Sequence, residues 1–187
     1  MPQKISRAPQ DFKILKQFWN HCNIPIQFKF IVFSACIVQR LLYSLEGAWL
    51  NKHLVKKLDG FYCKCLRRIL GSSHSYISRI SNAFILKQFN SKPLSQILLY
   101  RQLILFGRIA RMSDSSTMRQ CVFAEQSVEL ARDHDKKKQG RPRKTWSEEL
   151  YKHSLLICGI FSLQSIILNK NVWQRHVQKY IAVDLNR

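Results

Sequence analysis

The sequence predicts an all-α protein, either one multi-helix bundle or two small helical subdomains joined by a basic loop. Three observations predict it. Apolar residues recur at helical spacing along most of the chain while period-two alternation is scarce. Only six glycines and five prolines interrupt 187 residues. With 46% hydrophobic and 11% aromatic residues, the chain has enough apolar surface to offset the entropy of ordering, which excludes a wholly disordered chain.

Taken in order, the periodicity predicts helices from about Asp11 to Cys22 and from Phe28 to Glu46. The second contains "FIVFSACIVQ", the most apolar stretch, which Lys29 and Arg40 bound and which is too short to span a membrane. A third helix runs from about Leu50 to Leu70, with Leu58, Phe61, Tyr62, Cys65, Leu66 and Ile69 on one wide face. Gly71 follows it as the residue just past the helix end. Helices from Ser81 to Phe89 and from Pro93 to Met112 come next, the latter opening on a proline suited to a first helical position. Leu94, Leu98, Leu105 and Ile109 form its stripe, widened by Leu99 and Phe106.

"SDSSTM" is a polar linker, after which a helix is expected from Met118 to Ala131. Residues 132–145 hold the longest run without apolar side chains, and mark a boundary between a domain at 1–131 and a helical segment at 146–187. In that segment a helix from Trp146 to Cys158 opens on a Thr145-x-x-Glu148 capping box. A last helix from Val172 to Val183 puts Val172, Trp173, Val177, Tyr180 and Ile181 on a core-packing face.

Thirty-one Lys plus Arg against eleven Asp plus Glu give a net charge of +20, which repels itself in a compact chain unless an anionic partner shares the surface. Nucleic acid is the expected partner class. The opening residues lack the apolar core of a secretory signal, so a nuclear or cytoplasmic, reducing compartment is expected, with the six cysteines as thiols.

Several chemistries lack their residues. Two-metal polymerases and nucleases need clustered carboxylates, whereas the adjacent acids here, Glu148 and Glu149, fall in the first turn of a helix, where they complement its dipole. There is no phosphate-cradling Gly-rich loop and no nucleophile elbow. Cys63-x-Cys65 with His74 fits zinc poorly, because a one-residue gap turns two helical side chains about 200° apart. No catalytic group, metal, cofactor or small-molecule substrate is expected.

The candidate contacts are cationic. Lys57, Lys64, Arg67 and Arg68 lie on the helix predicted from Leu50 to Leu70; its cationic side either follows a phosphate backbone or is an ordinary solvated face. Arg101, Arg108 and Arg111 are spaced to share one flank, either reaching one anionic surface or bordering the core with snorkelling stems. Lys136, Lys137, Lys138, Arg141, Arg143 and Lys144 surround Gly140-Arg141-Pro142, a sequence that threads a narrow minor groove in AT-hook peptides. A basic loop leading into a helix anchored by Trp146 reads equally well.

Four stretches, "LLYSLEGAWLNKHLVKKLDGFYCKCLRRILG", "SHSYISRISNAFIL", "PLSQILLYRQLILFGRIARMSD" and "GRPRKTW", resemble in order and spacing the region that follows the polymerase in LINE-type non-LTR retrotransposon reverse transcriptases. The likeness covers about Phe28 to Trp146. Leu42, Tyr43, Glu46 and Trp49 match its first motif, Leu58, Phe61, Cys65, Leu66, Arg67, Ile69, Leu70 and Gly71 its second, and Gly140, Arg141, Pro142 and Trp146 its last. Ser44 stands where the family has Gly, and Arg108 where it often has His. The chain carries neither the aromatic-x-Asp-Asp polymerase motif nor an endonuclease.

The resemblance therefore implies a thumb and connection region that grips template and primer without the catalytic palm. Its implied partners are RNA, single-stranded DNA or an RNA–DNA heteroduplex, together with a reverse-transcriptase palm domain. A protein-interaction module and a decayed element remnant remain as alternatives.

Overall fold

The structure is a computed structural model and describes residues 2–43, 45–131, 144–159 and 162–183. It is all-α: among the described residues there is no strand, and an isolated antiparallel bridge joins Phe123 to Leu130. The chain forms two compact units, residues 1–45 with 50–98 and residues 46–49 with 99–187. The division thus falls at 98/99 rather than in the basic run at 132–145, and residues 146–183 pack with 99–131.

The first unit holds α1 (Pro2–Ile14), α2 (Lys16–His21), α3 (Ile26–Phe33), a π-helical turn (Ser34–Val38), α4 (Gln39–Leu42), α5 (Lys52–Ile69), α6 (Ser75–Ser78) and α7 (Asn82–Gln88). The helix expected from Asp11 is two helices, broken at Leu15, and the first reaches back to Pro2. The one expected to end at Glu46 stops at Leu42, which leaves Glu46 to serve the other unit.

Aromatic rings build much of this core. Phe12 stacks on Trp19 with centroids 5.1 Å apart, Phe33 meets Phe12 edge-on at 5.8 Å, and Tyr62 stacks on Phe33 at 5.8 Å. Trp19 can be buried because its indole N–H donates to the Phe12 carbonyl at 3.0 Å. From α5, Leu58, Tyr62, Cys65, Leu66 and Ile69 are buried as their spacing predicts, with Phe61 half-buried.

The ends of α5 are closed locally. The Asn51 side chain accepts from Leu54 N at 2.8 Å. At the other end Gly71 takes φ of 74°, its N–H donates to Arg68 O at 3.2 Å, and Ser72 N donates to Arg67 O at 2.9 Å. That pair of bonds is a Schellman closure, which needs a left-handed residue and so favours glycine there. Asp59, on α5, accepts from Ser95 N at 2.8 Å and from the Ser95 hydroxyl at 2.7 Å, placing a carboxylate against the first turn of α8 (Leu94–Ala110).

The second unit takes the remainder of α8, then α9 (Thr117–Gln120), α10 (Trp146–Cys158), α11 (Leu163–Leu168) and α12 (Lys170–Val183). α9 is one turn long, not the helix expected to Ala131. Gln126 takes φ of 57°, and Ala124 N donates to Glu129 O at 2.9 Å while Ala131 N donates to Val122 O at 3.1 Å. This folds the chain back and buries both Phe123 and Val128. The Arg119 guanidinium holds the turn, donating to the Ala110 and Ser127 carbonyls and pairing with Asp114 at 2.6 Å.

α10 starts where the capping box requires: Glu148 N donates to Thr145 Oγ1 at 3.3 Å and Thr145 N donates to Glu148 Oε2 at 3.3 Å. Trp146 anchors it, donating from Nε1 to Glu46 O at 2.8 Å and meeting Phe106 edge-on at 6.0 Å. α12 buries Trp173, Val177 and Ile181, and leaves Tyr180 half-buried with its hydroxyl 2.9 Å from His153 Nδ1.

Candidate nucleic-acid interface

Lys57, Lys64 and Arg68 are exposed on α5. Steps of seven and four residues at about 100° each leave them within about 40° of one line, so they form a single cationic stripe. None makes an ion pair among the described residues. Lys64 and Arg68, four apart, repel each other by about 0.2–0.5 kcal/mol, a cost that an anionic partner removes.

Arg67 does not join them. It is 5% exposed, and its Nη2 donates to Ile80 O at 2.7 Å and to Asn82 Oδ1 at 2.8 Å, fastening the 80–82 segment to α5. Its other terminal nitrogen, Nη1, is buried without a hydrogen-bond partner. An unsatisfied donor on a charged group is costly in a packed interior.

Two recesses flank the stripe. One, of ≈ 440 Å³, is walled by α5 from Gly60 to Arg68, by residues 72–75 and by Asn82. The other, of ≈ 570 Å³, is walled by Phe12, Lys13, Lys16, Trp19, Asn20, Arg68, Gly71 and Ser72. They share Arg68 and Ser72 and have no Asp or Glu in either wall. Several of the described acids are engaged elsewhere: Asp11 with Arg40, Glu46 with Arg101, Asp59 with Ser95, Asp114 with Arg119, and Glu149 with Lys144 and Lys152. The lysines and arginines of these two walls therefore meet no carboxylate of the same wall. Lys13 and Lys16 were missed in the sequence, because only folding brings α1 and α2 to the end of α5.

The arginines of α8 do not act as one flank. Arg101 pairs with Glu46 at 3.1 Å, and Arg111 donates to Ile167 O at 2.7 Å, where burial lowers its pKa from the ordinary value. Arg108 alone of the three is exposed without an ion pair among the described residues. The helix is central to its unit, so neighbouring elements claim its polar edge.

Lys144 pairs with Glu149 at 3.2 Å beside the start of α10. Lys136, Lys137, Lys138, Arg141 and Arg143 lie outside the described residues. No protein-family model, curated protein or solved structure matches the chain.

Among the described residues no three His, Cys, Asp or Glu side chains converge as metal ligands, and no helix is long and apolar enough to cross a membrane. All six cysteines are free. Burial pushes the Cys65 thiol up to about 12 and the Cys158 thiol up to about 11, and burial also raises that of Cys63. Thiols held protonated are poor nucleophiles.

Proposed function

We propose that this chain is a noncatalytic nucleic-acid-binding fragment of a non-LTR retrotransposon reverse transcriptase, gripping template or primer without the polymerase palm. The observation that carries the reading is the α5 stripe of Lys57, Lys64 and Arg68, flanked by two recesses whose walls hold cations and no acid. Unpaired cations along one helix edge suit phosphate contacts, which are indifferent to sequence and weaken with salt. The order of the four LINE-like stretches supports the family, and the net charge of +20 supports the ligand class.

The test is fluorescence anisotropy of the whole chain with RNA, single-stranded DNA, duplex DNA and heteroduplex across a salt series. Wild type is expected to bind single strands or heteroduplex with steep salt dependence. Replacing Lys57, Lys64 and Arg68 with glutamine is expected to flatten the log–log slope by about 0.7 for each single-strand phosphate that is no longer neutralised. Absence of salt-dependent binding by folded protein sinks the proposal.

One observation favours a second reading, a protein-interaction surface. Phe28 and Ile31 on α3 are 57% and 59% exposed, three residues apart on one face. Self-association that persists at high salt and disappears in Phe28→Ser would support it.

A further inference from the structure

We infer that the recess at the corner of α5, α6 and α7 is a phosphate site that takes one internal phosphodiester of a bound nucleic-acid strand. This rests on the nucleic-acid reading above and deepens it. The first observation is Arg67. A guanidinium has five donors in a fixed fork; here Nη2 is committed to Ile80 O and Asn82 Oδ1, while Nη1 is buried with no partner. Nη1 keeps two N–H donors, and an anionic oxygen is the kind of acceptor that satisfies them with a charge-assisted bond.

The second observation is the wall itself. Lys64 and Arg68 stand on either side of Arg67 in the sequence and share the recess with it, the Ser73 hydroxyl adds a neutral donor, and no carboxylate competes. Gly60 completes the wall in the middle of α5. A Cβ built on Gly60 meets nothing within 4 Å, so no packing contact accounts for a residue that weakens a helix interior. What the missing side chain leaves is room for a ligand to approach the helix backbone.

The third is continuity. The neighbouring recess, with Lys13 and Lys16, shares Arg68 and Ser72 with this one. A chain of phosphates passing along Arg68 meets cations on both sides, which suits an internal phosphodiester rather than a strand end.

The experiment follows the Arg67 side-chain and Ser72–Ser75 backbone NMR signals of the full chain during titration with inorganic phosphate at constant ionic strength. Short single-stranded RNA, with and without a 5′-phosphate, is measured in parallel. Gly60→Leu is the variant of choice, since it fills the recess, changes no charge and improves helix propensity; circular dichroism and the thermal midpoint verify that it folds. The inference expects saturable phosphate shifts confined to Arg67 and 72–75, abolished in Gly60→Leu, with a salt slope for RNA lower by about 0.7 in that variant. Shifts that never saturate, that spread over all lysines and arginines, or that survive Gly60→Leu overturn it.

RNA binding that requires the 5′-phosphate overturns the internal position. Salt-dependent RNA binding without the local phosphate shifts removes this site and leaves the proposed function standing. Local phosphate shifts in a chain that does not bind RNA remove the proposed function, and with it the assignment to a strand.

Discussion

The indole of Trp173 lies directly across the α-carbon of Gly107. Trp173 is fully buried and donates from Nε1 to Leu103 O at 3.0 Å, one turn before Gly107 on α8. A Cβ added at 107 would stand 2.5 Å from Cδ1 and 3.0 Å from Cε2, with Nε1 nearer still. Glycine is required here by space.

Gly107→Ala is therefore expected to destabilise the second unit despite alanine's better helix propensity. Overpacking of this kind costs about 1–3 kcal/mol, and the fixed indole leaves little room to relax. Chemical denaturation followed by tryptophan fluorescence measures it; a variant as stable as wild type would mean that Trp173 can move aside.

At Gly60 the same substitution is expected to act in the opposite direction. Its Cβ meets open space, so Gly60→Ala should stabilise α5 by about 0.5–1 kcal/mol. A thermal midpoint that falls instead would reveal a backbone role that the helix geometry does not show.

Glu149 sets a pH dependence at the start of α10. Burial raises its pKa, but hydrogen bonds from Lys152 and Lys144 outweigh that and leave it below the ordinary 4.5. A carboxylate lowered in the folded state contributes stability above that ordinary value, and the contribution disappears as pH falls through the folded value. Glu149→Gln should cost about 1–2 kcal/mol at neutral pH, and the gap from wild type should close in acid. A gap that stays constant in a pH series of denaturation curves would show that the pair contributes nothing.

Thiol chemistry should divide the cysteines. Cys36 and Cys121 are exposed, while Cys65 is buried with its thiol pushed up to about 12 by burial. Iodoacetamide at mildly alkaline pH should label Cys36 and Cys121 rapidly and Cys65 only on unfolding, as measured by peptide mass spectrometry. Because the thiolate of Cys65 is disfavoured in the folded state, stability should fall as pH rises from the ordinary value near 9 towards 12. Prompt labelling of Cys65 in native protein would contradict its burial.

Much of the helical framework was legible because its causes are local. The capping box at Thr145 and Glu148, the Gly71 closure and the apolar stripe of α5 each depend on residues within a turn or two of one another. The Met118–Ala131 helix failed for a non-local reason: Val122, Phe123, Val128 and Leu130 have apolar spacing that a turn at Gln126 satisfies as well as a helix does. α6 and α11 are too short to show a period, and periodicity does not reveal them.

The candidate site was legible only in part. The sequence supplied Lys57, Lys64 and Arg68 through their helical spacing, but placed Arg67 beside them, although it turns inward to Ile80 O, 13 residues away. Likewise the spacing of Arg101 and Arg111 suggests one flank, yet they end at Glu46 and at Ile167 O, the latter 56 residues away.

By itself, then, the sequence determined that the chain is helical, basic and supplied with defined helix ends. Tertiary structure alone decided which cations stay open, why Gly107 must lack a side chain, and that Lys13 and Lys16 join the end of α5. The physical reason is one of range. Periodicity and caps are set by bonds spanning a few residues, whereas the fate of a long cationic side chain depends on which distant carbonyl or carboxylate folding brings within about 3 Å of it.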